Sequence, residues 1–297
     1  MTDSTNESRR GFITATLSGP RPAAADELAV AIMEKHPGSA VMLYGSGISV
    51  LEGVDAADVL YDFYVISPSY REAFGSTFLS ILNAMLPPNV FYIEKSSELG
   101  LLRAKYAVLS IDHFEKLVSN KTFHSYFWAR FAQPARMIAG PDGLRARIVK
   151  CVETSVDTFL SRSISTTTER ASVNAIWKAG LSKSYKAELR AEAPGRVDKL
   201  LSAYGEWPDK VTNLKTITPR GGALGWRLRA MQGGILSVLR LLKGTFTFEG
   251  GVDYIAWKIS RHAGFSVPVR GWERRWPILG APFLMSRYYR MKRAHAR

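Results

Sequence analysis

Apolar and polar positions follow two periods along this chain, and the change between them divides it. After a polar start that runs to about Pro22, "ADELAVAIMEKHPG" spaces its apolar residues as an amphipathic helix and stops at Pro37-Gly38. "AVMLYGSGI" and "VLYDFYVI" are β-branched and aromatic runs that predict two strands, the first broken by glycines. "SYREAFGSTFLSILNAMLPP" has helical spacing with a proline stop. "NVFYIEK" and "AKYAVLSI" predict further strands, and "DHFEKLVSNKTFHSYFWARFAQP" a helix with Asp112 as its N-cap.

From about Asp142 the texture becomes helical. The stretches are "GLRARIVKCVETSVDTFLSRS", "TTERASVNAIWKAGLSKSYKAELRAE", "RVDKLLSAYGEW", "GWRLRAMQGGILSVLRLLKG" and "GGVDYIAWKISRHAG", with "WPDKVTNLKTITPRGG" as a loop between them. The expected class is α+β: a mixed sheet with helices over residues 1–138, a mostly helical second domain over 139–270, and a basic aromatic tail over 271–297.

Composition narrows the partners. The 297 residues carry a formal charge of +14, which calls for nucleic acid, anionic lipid or a polyanionic small substrate. One cysteine, Cys151, excludes an internal disulfide framework and a cysteine-based zinc site. The first twenty residues lack the apolar core of a signal peptide, and Asp3 and Glu7 argue against a mitochondrial presequence, so a prokaryotic cytoplasm is expected. The most apolar window, "LGWRLRAMQGGILSVLRLLKG", is interrupted by Arg227, Arg229 and Arg240, so the protein is expected not to span a membrane, which leaves open that it lies on one.

Candidate chemistry gathers at Tyr44-Gly45-Ser46-Gly47 and at Asp62 in "VLYDFYVI". A carboxylate inside an apolar strand is costly unless it is paired or holds a metal. A strand ending in Gly-Ser, followed by a strand that bears an acid, is the core arrangement of polymerase-beta-like nucleotidyltransferases. Backbone N–H groups and a hydroxyl approach nucleotide phosphates at such a turn, and carboxylates hold Mg2+ against them. Alternate strand residues face one way, so the second carboxylate of an Asp-x-Asp pair would fall at position 64, which is Tyr64. Asp112 is the leading candidate to complete the set, ahead of Asp55 and Asp58; the alternative for Asp112 is a helix cap, and for Lys105 a strand lysine facing water.

"YGSGI", "YDFYVIS" and "KYAVLSIDHFEKLVSNKTFHSYFWARFAQPARMI" together resemble the mitochondrial-type CDP-diacylglycerol synthases, the translocator-assembly-and-maintenance family of phosphatidate cytidylyltransferases. The matching positions are Tyr44 to Gly47, Asp62-Phe63, Lys105 to Val108 with Ala107 in place of a glycine, Asp112, and Gln133-Pro134. "AIWKAGLSKSYKAEL" is similar to a later segment of the family, so the likeness runs in patches from Met42 to Arg190. The family's Trp-His and Asn signature is absent from "SPSYREAFGSTF". The resemblance implies a Mg2+-dependent transfer of CMP from CTP to phosphatidic acid with release of diphosphate. Tyr44, Gly45, Ser46 and Gly47 would bind the nucleotide, Asp62 and Asp112 the metal, and Lys105 the phosphate charge.

The stretch "GWERRWPILGAPFLMSRYYRMKRAHAR" has seven Lys/Arg against one acid, interleaved with Trp272, Trp276, Phe283, Leu284, Tyr288 and Tyr289. That mixture suits an anionic membrane surface, which would make the protein peripheral on the inner face of the cell membrane. Two other readings stay open: a nucleotidyltransferase acting on RNA or a small molecule, and a non-catalytic nucleotide-binding protein. No RNA-binding motif is present, so nucleic acid is not the expected partner, and the sequence leaves the oligomeric state unset.

Overall fold

A computed structural model describes residues 2–49, 55–167, 171–188, 195–247, 251–263, 265, 267–275 and 277–295. In chain order the elements are α1 (Thr2–Leu17), α2 (Ala23–Lys35), β1 (Ala40–Tyr44), β2 (Leu60–Ser67), α3 (Tyr70–Phe74), α4 (Thr77–Met85), β3 (Asn89–Ser97), β4 (Gly100–Ser110), α5 (Ile111–Val118), α6 (Trp128–Phe131), β5 (Ala135–Ala139), α7 (Asp142–Ile164), α8 (Val173–Ala187), α9 (Arg196–Tyr204) and α10 (Trp207–Val211). The long α11 (Ala223–Thr247) follows, then α12 (Gly251–Ala263), α13 (Gly271–Arg275) and α14 (Pro277–His295). The molecule is α+β, a five-stranded sheet in the order β3-β4-β2-β1-β5 with helices continuing after it.

The sheet is mixed. β2 pairs antiparallel with β1 and parallel with β4, while β3–β4 and β1–β5 are antiparallel. Its central strands are apolar on both faces because both are covered, as the unbroken run "FYVI" on β2 requires. On one face Val41, Leu43, Phe63, Val65 and Tyr106 pack against α2. On the other Met42, Tyr64, Ile66 and Leu109 join one core with α1, α5, α6, α7 and α8. That core crosses the boundary at residue 138: Tyr64 and Phe131 belong to the same cluster as Phe159 and Trp177.

Several elements differ from the sequence expectation. The polar start forms α1, whose Ile13 and Leu17 are buried in the core, with Arg9 ion-paired to Asp157 on α7. The helix expected over 112–134 is two helices, since a turn at Ser119–Thr122 ends α5. Its N-cap is Ser110, whose hydroxyl accepts from the His113 N–H, so Asp112 lies inside the first turn. β5 is an edge strand too short to carry a clear alternation. The expected loop after Glu206 begins with α10, whose Trp207 and Val211 are buried.

The tail is folded. Leu284 packs with Val252, Ala256 and Val267, Glu273 is fully buried and ion-paired to Arg287 at 2.6 Å, and Arg274 holds Asp253. Trp276 lies outside the described residues. Among the described residues, no helix is long and apolar enough to cross a membrane.

Candidate active site

One row of cross-strand neighbours crosses the whole sheet: Tyr92 opposite Lys105, Lys105 beside Asp62, Asp62 opposite Tyr44, and Tyr44 opposite Ala135. Along the face that carries this row, β2 reads Asp62, Tyr64, Ile66 and β4 reads Arg103, Lys105, Ala107, Leu109. The sheet is therefore charged at one end and apolar at the other. Helices α5 to α7 cover the apolar end, and the charged end borders a cavity of about 890 Å³.

The half-buried Asp62 carboxylate is paired. Lys105 Nζ lies 3.0 Å from Asp62 Oδ1, with the two side chains 30% and 24% exposed. Oδ1 has no well-aligned hydrogen bond despite that proximity, so the contact is an ion pair with acceptor capacity left over. Burial pulls the Lys105 ammonium down, but the Asp62 carboxylate beside it outweighs that and holds it above the usual lysine range. Tyr44 is pushed up by burial first and by Asp62 second, so its phenol keeps its proton.

Gly45 begins a short 3-10 turn, Gly45–Ser49, with φ of 73°, a left-handed conformation that glycine adopts without strain. A Cβ built there would stand 3.8 Å from Asp62 Oδ2, which puts the turn directly beside the carboxylate. Gly47 is buried for a different reason: a Cβ would come within 3.3 Å of both Leu43 and Tyr61. The Ser46 side chain and residues 50–54 lie outside the described part of the turn.

Asp112 is placed elsewhere, which corrects the expected Asp62–Asp112 metal pair. Because β2 and β4 run parallel, Lys105 is level with Asp62 and Ser110 is level with Ser67. Asp112 lies beyond Ser110, past five residues of strand, or about 16 Å at 3.3 Å each. It is 80% exposed and ion-paired at 2.6 Å to Arg147, which also binds Glu115. Asp55 caps the turn Ala56–Asp58 by accepting from Ala57 N–H, and Asp58 is exposed.

The cavity collects residues far apart in sequence. Its walls include Phe12 and Thr16 of α1, Tyr44 and Gly45, Asp62, Lys105, Arg130, Gln133, Pro134 and Arg136, Tyr185 and Glu188, and Arg196 and Trp207. Arg130 is ion-paired to Glu188 at 3.3 Å, and its guanidinium lies over the rings of Tyr44 and Tyr126 at 5.3 and 4.8 Å. Gln133 donates to Ala129 O and accepts from the hydroxyls of Tyr185 and Tyr204, joining the α6–β5 connection to α8 and α9. Tyr254, on α12, reaches the same region: Lys105 Nζ is 5.9 Å from its ring centre, and Tyr92 and Tyr254 rings are 5.8 Å apart.

Sequence reasoning missed Arg130, Arg136, Arg196, Tyr204 and Tyr254. Arg130 had a usable signal, standing three residues before Gln133 and so one helical turn away. Tyr254 had none, since its place depends on how α12 packs on β3.

Among the described residues, no group of three or more His, Cys, Asp or Glu comes together to hold a metal. Asp62 offers one carboxylate, with Oδ2 toward the glycine turn and Oδ1 only partly satisfied. That donor set suits Mg2+ arriving with a nucleotide, because Mg2+ commonly takes one or two carboxylates and fills its shell with phosphate oxygens and water. No protein-family model matches this chain, and the curated proteins contain no match to it.

Proposed function

We propose that this chain is a nucleotidyltransferase that moves CMP from CTP to phosphatidic acid, releasing diphosphate and forming CDP-diacylglycerol at a membrane surface. One observation carries the reading: an Asp62–Lys105 pair on adjacent strands faces the Gly45 turn at the edge of a cavity large enough for a nucleotide. The patches that resemble the cytidylyltransferase family support it further. Tyr44-Gly45, Asp62, Lys105, Gln133-Pro134 and Tyr185 lie in separate stretches of sequence and border this one cavity.

In this reaction an oxygen of the acceptor's phosphate monoester attacks the α-phosphorus of CTP, and the bond from that phosphorus to the bridging oxygen of the β-phosphate breaks. The attacking oxygen is already anionic near neutral pH, so no strong general base is needed. Alignment and charge neutralisation then supply most of the acceleration. Lys105 and Arg130 provide the positive charge, and Tyr44, kept protonated by burial, is a hydrogen-bond donor. Asp62 would hold Mg2+, which would supply neutralisation of phosphate charge and of the leaving diphosphate.

The test is transfer of label from CTP, radioactive in its α-phosphate, into lipid with Mg2+ and phosphatidate vesicles. Label should enter the organic phase, and Asp62→Asn should lower the rate by at least about a hundredfold, the scale seen when one charge-stabilising group is removed from an active site. Folded protein that gives no lipid-soluble label would exclude this acceptor, and an Asp62→Asn variant with full turnover would exclude this site.

A further inference from the structure

The outer face of α11 is the largest feature that the proposed reaction leaves unexplained. Leu224, Leu228, Met231, Ile235, Val238 and Leu242 fall at alternating spacings of four and three and are 44–67% exposed. The opposite face is already used. Trp226 and Arg229 are buried there, Gly233 sits against the carbonyl of Ala187, and Arg240 and Lys243 donate to the carbonyls of residues 86–88. Among the described residues α11 packs on the protein through that opposite face, and an exposed apolar stripe of this length belongs against an apolar or interfacial surrounding.

A second exposed apolar face lies on α4. Phe78, Ile81 and Met85 line one side of that helix at spacings of three and four, exposed by 64%, 53% and 78%. Arg240 and Lys243 tie the end of α4 to α11 through Leu86, Pro87 and Pro88.

We infer that the exposed apolar face of α11, with that of α4, docks on an anionic lipid bilayer. Charge selects this occupant. Neither helix contains an acid, α11 carries Arg227 on its exposed side, and the chain as a whole is +14, so a second copy would bring like charge against like charge. Width points the same way. Leu239 and Leu241 flank the stripe and are themselves 44% and 74% exposed, which makes a band broader than a two-helix seam. The positions that would carry pairing charges in such a seam are Gly225, Arg227, Gln232, Gly234, Leu239 and Leu241, with no acid to specify a partner helix. A broad apolar band on an acid-free helix with cations suits insertion along the plane of a membrane interface.

The docking stands independently of the proposed reaction but fits it. Ser237 of α11 donates to the carbonyl of Glu188, a residue of the cavity wall, so the bilayer would lie roughly one helix diameter, about 10–12 Å, from the wall of the site.

The experiment is flotation of the full-length chain with vesicles of phosphatidylcholine alone or with phosphatidate, without CTP. Wild type should float with the anionic vesicles and release as salt rises. Met231→Glu/Ile235→Glu should weaken binding by at least about tenfold, the scale expected from losing two buried apolar groups and adding two repelled charges, while CTP binding and the thermal transition stay unchanged. Leu224→Glu/Leu242→Glu, at the two ends of the stripe, is the second variant if the first unfolds. Wild type left at the bottom of the gradient, or both variants floating like wild type, would overturn the inference. So would a concentration-dependent dimer that these variants dissolve without any effect on vesicles.

Discussion

At the residue scale, Asp62 was legible because a lone acid in the run "YDFYVI" contradicts its surroundings, and such a conflict marks a site more reliably than a matching pattern. Lys105 was legible only through family likeness; its ion pair follows from the parallel register of β2 and β4, which no local pattern states. The same register removed Asp112, whose position in sequence gave no hint that it would stand at the far end of the sheet. Lys243 gives a prediction at this scale. Burial first, and Arg240 second, lower its pKa to about 7 from 10.5. Between those values the unfolded chain holds a proton that the folded one has lost, so this group makes folding more favourable as pH rises through that window. Denaturant midpoints should show such a rise between about pH 7 and 9, and Lys243→Met should lack this component. An identical slope in the variant would mean that Lys243 does not titrate there.

At the element scale, periodicity located most helices and four of the strands, and it failed where tertiary contacts decide. The helix α1 has a polar sequence and is helical because Ile13 and Leu17 find a core made by α7 and β5 neighbours. The strand β5 exists because β1 offers it an edge beside the glycine turn. Helix α8 shows how packing positions the site. A Cβ on Gly180 would clash with Ser163 Oγ and the Phe159 ring, so these α7 side chains pack directly on the α8 backbone there. Tyr185, just over one turn later, then reaches Gln133. Gly180→Ala should therefore cost about 1–3 kcal/mol, the usual scale of overpacking, read as a lower denaturant midpoint. A stability equal to wild type would mean that this crossing relaxes freely.

At the scale of the whole molecule, the sequence announced an anion-binding protein by its +14 charge and left the location of that charge open. Part of it borders the cavity as Lys105, Arg130, Arg136 and Arg196, facing Asp62, Glu188 and Glu206. The tail, expected to bind an anionic membrane surface, is folded on α12 through Glu273–Arg287 and Arg274–Asp253, and among the described residues the broadest exposed apolar surface belongs to α11. That difference could not be read from composition, since the two segments mix cations and apolar residues alike; only the burial of one face of each helix tells them apart.

The central claim is that a nucleotide triphosphate seats on the Gly45 turn between Asp62 and Lys105. Calorimetric titration of Mg2+-CTP into wild type, Asp62→Asn and Lys105→Met measures it without any acceptor or membrane. Wild type should bind CTP with Mg2+ and more weakly with chelator, and each variant should lose roughly tenfold to a hundredfold in affinity, the scale of a hydrogen bond to a charged group. Binding that neither variant weakens, or a folded wild type that takes up no CTP, would contradict the account.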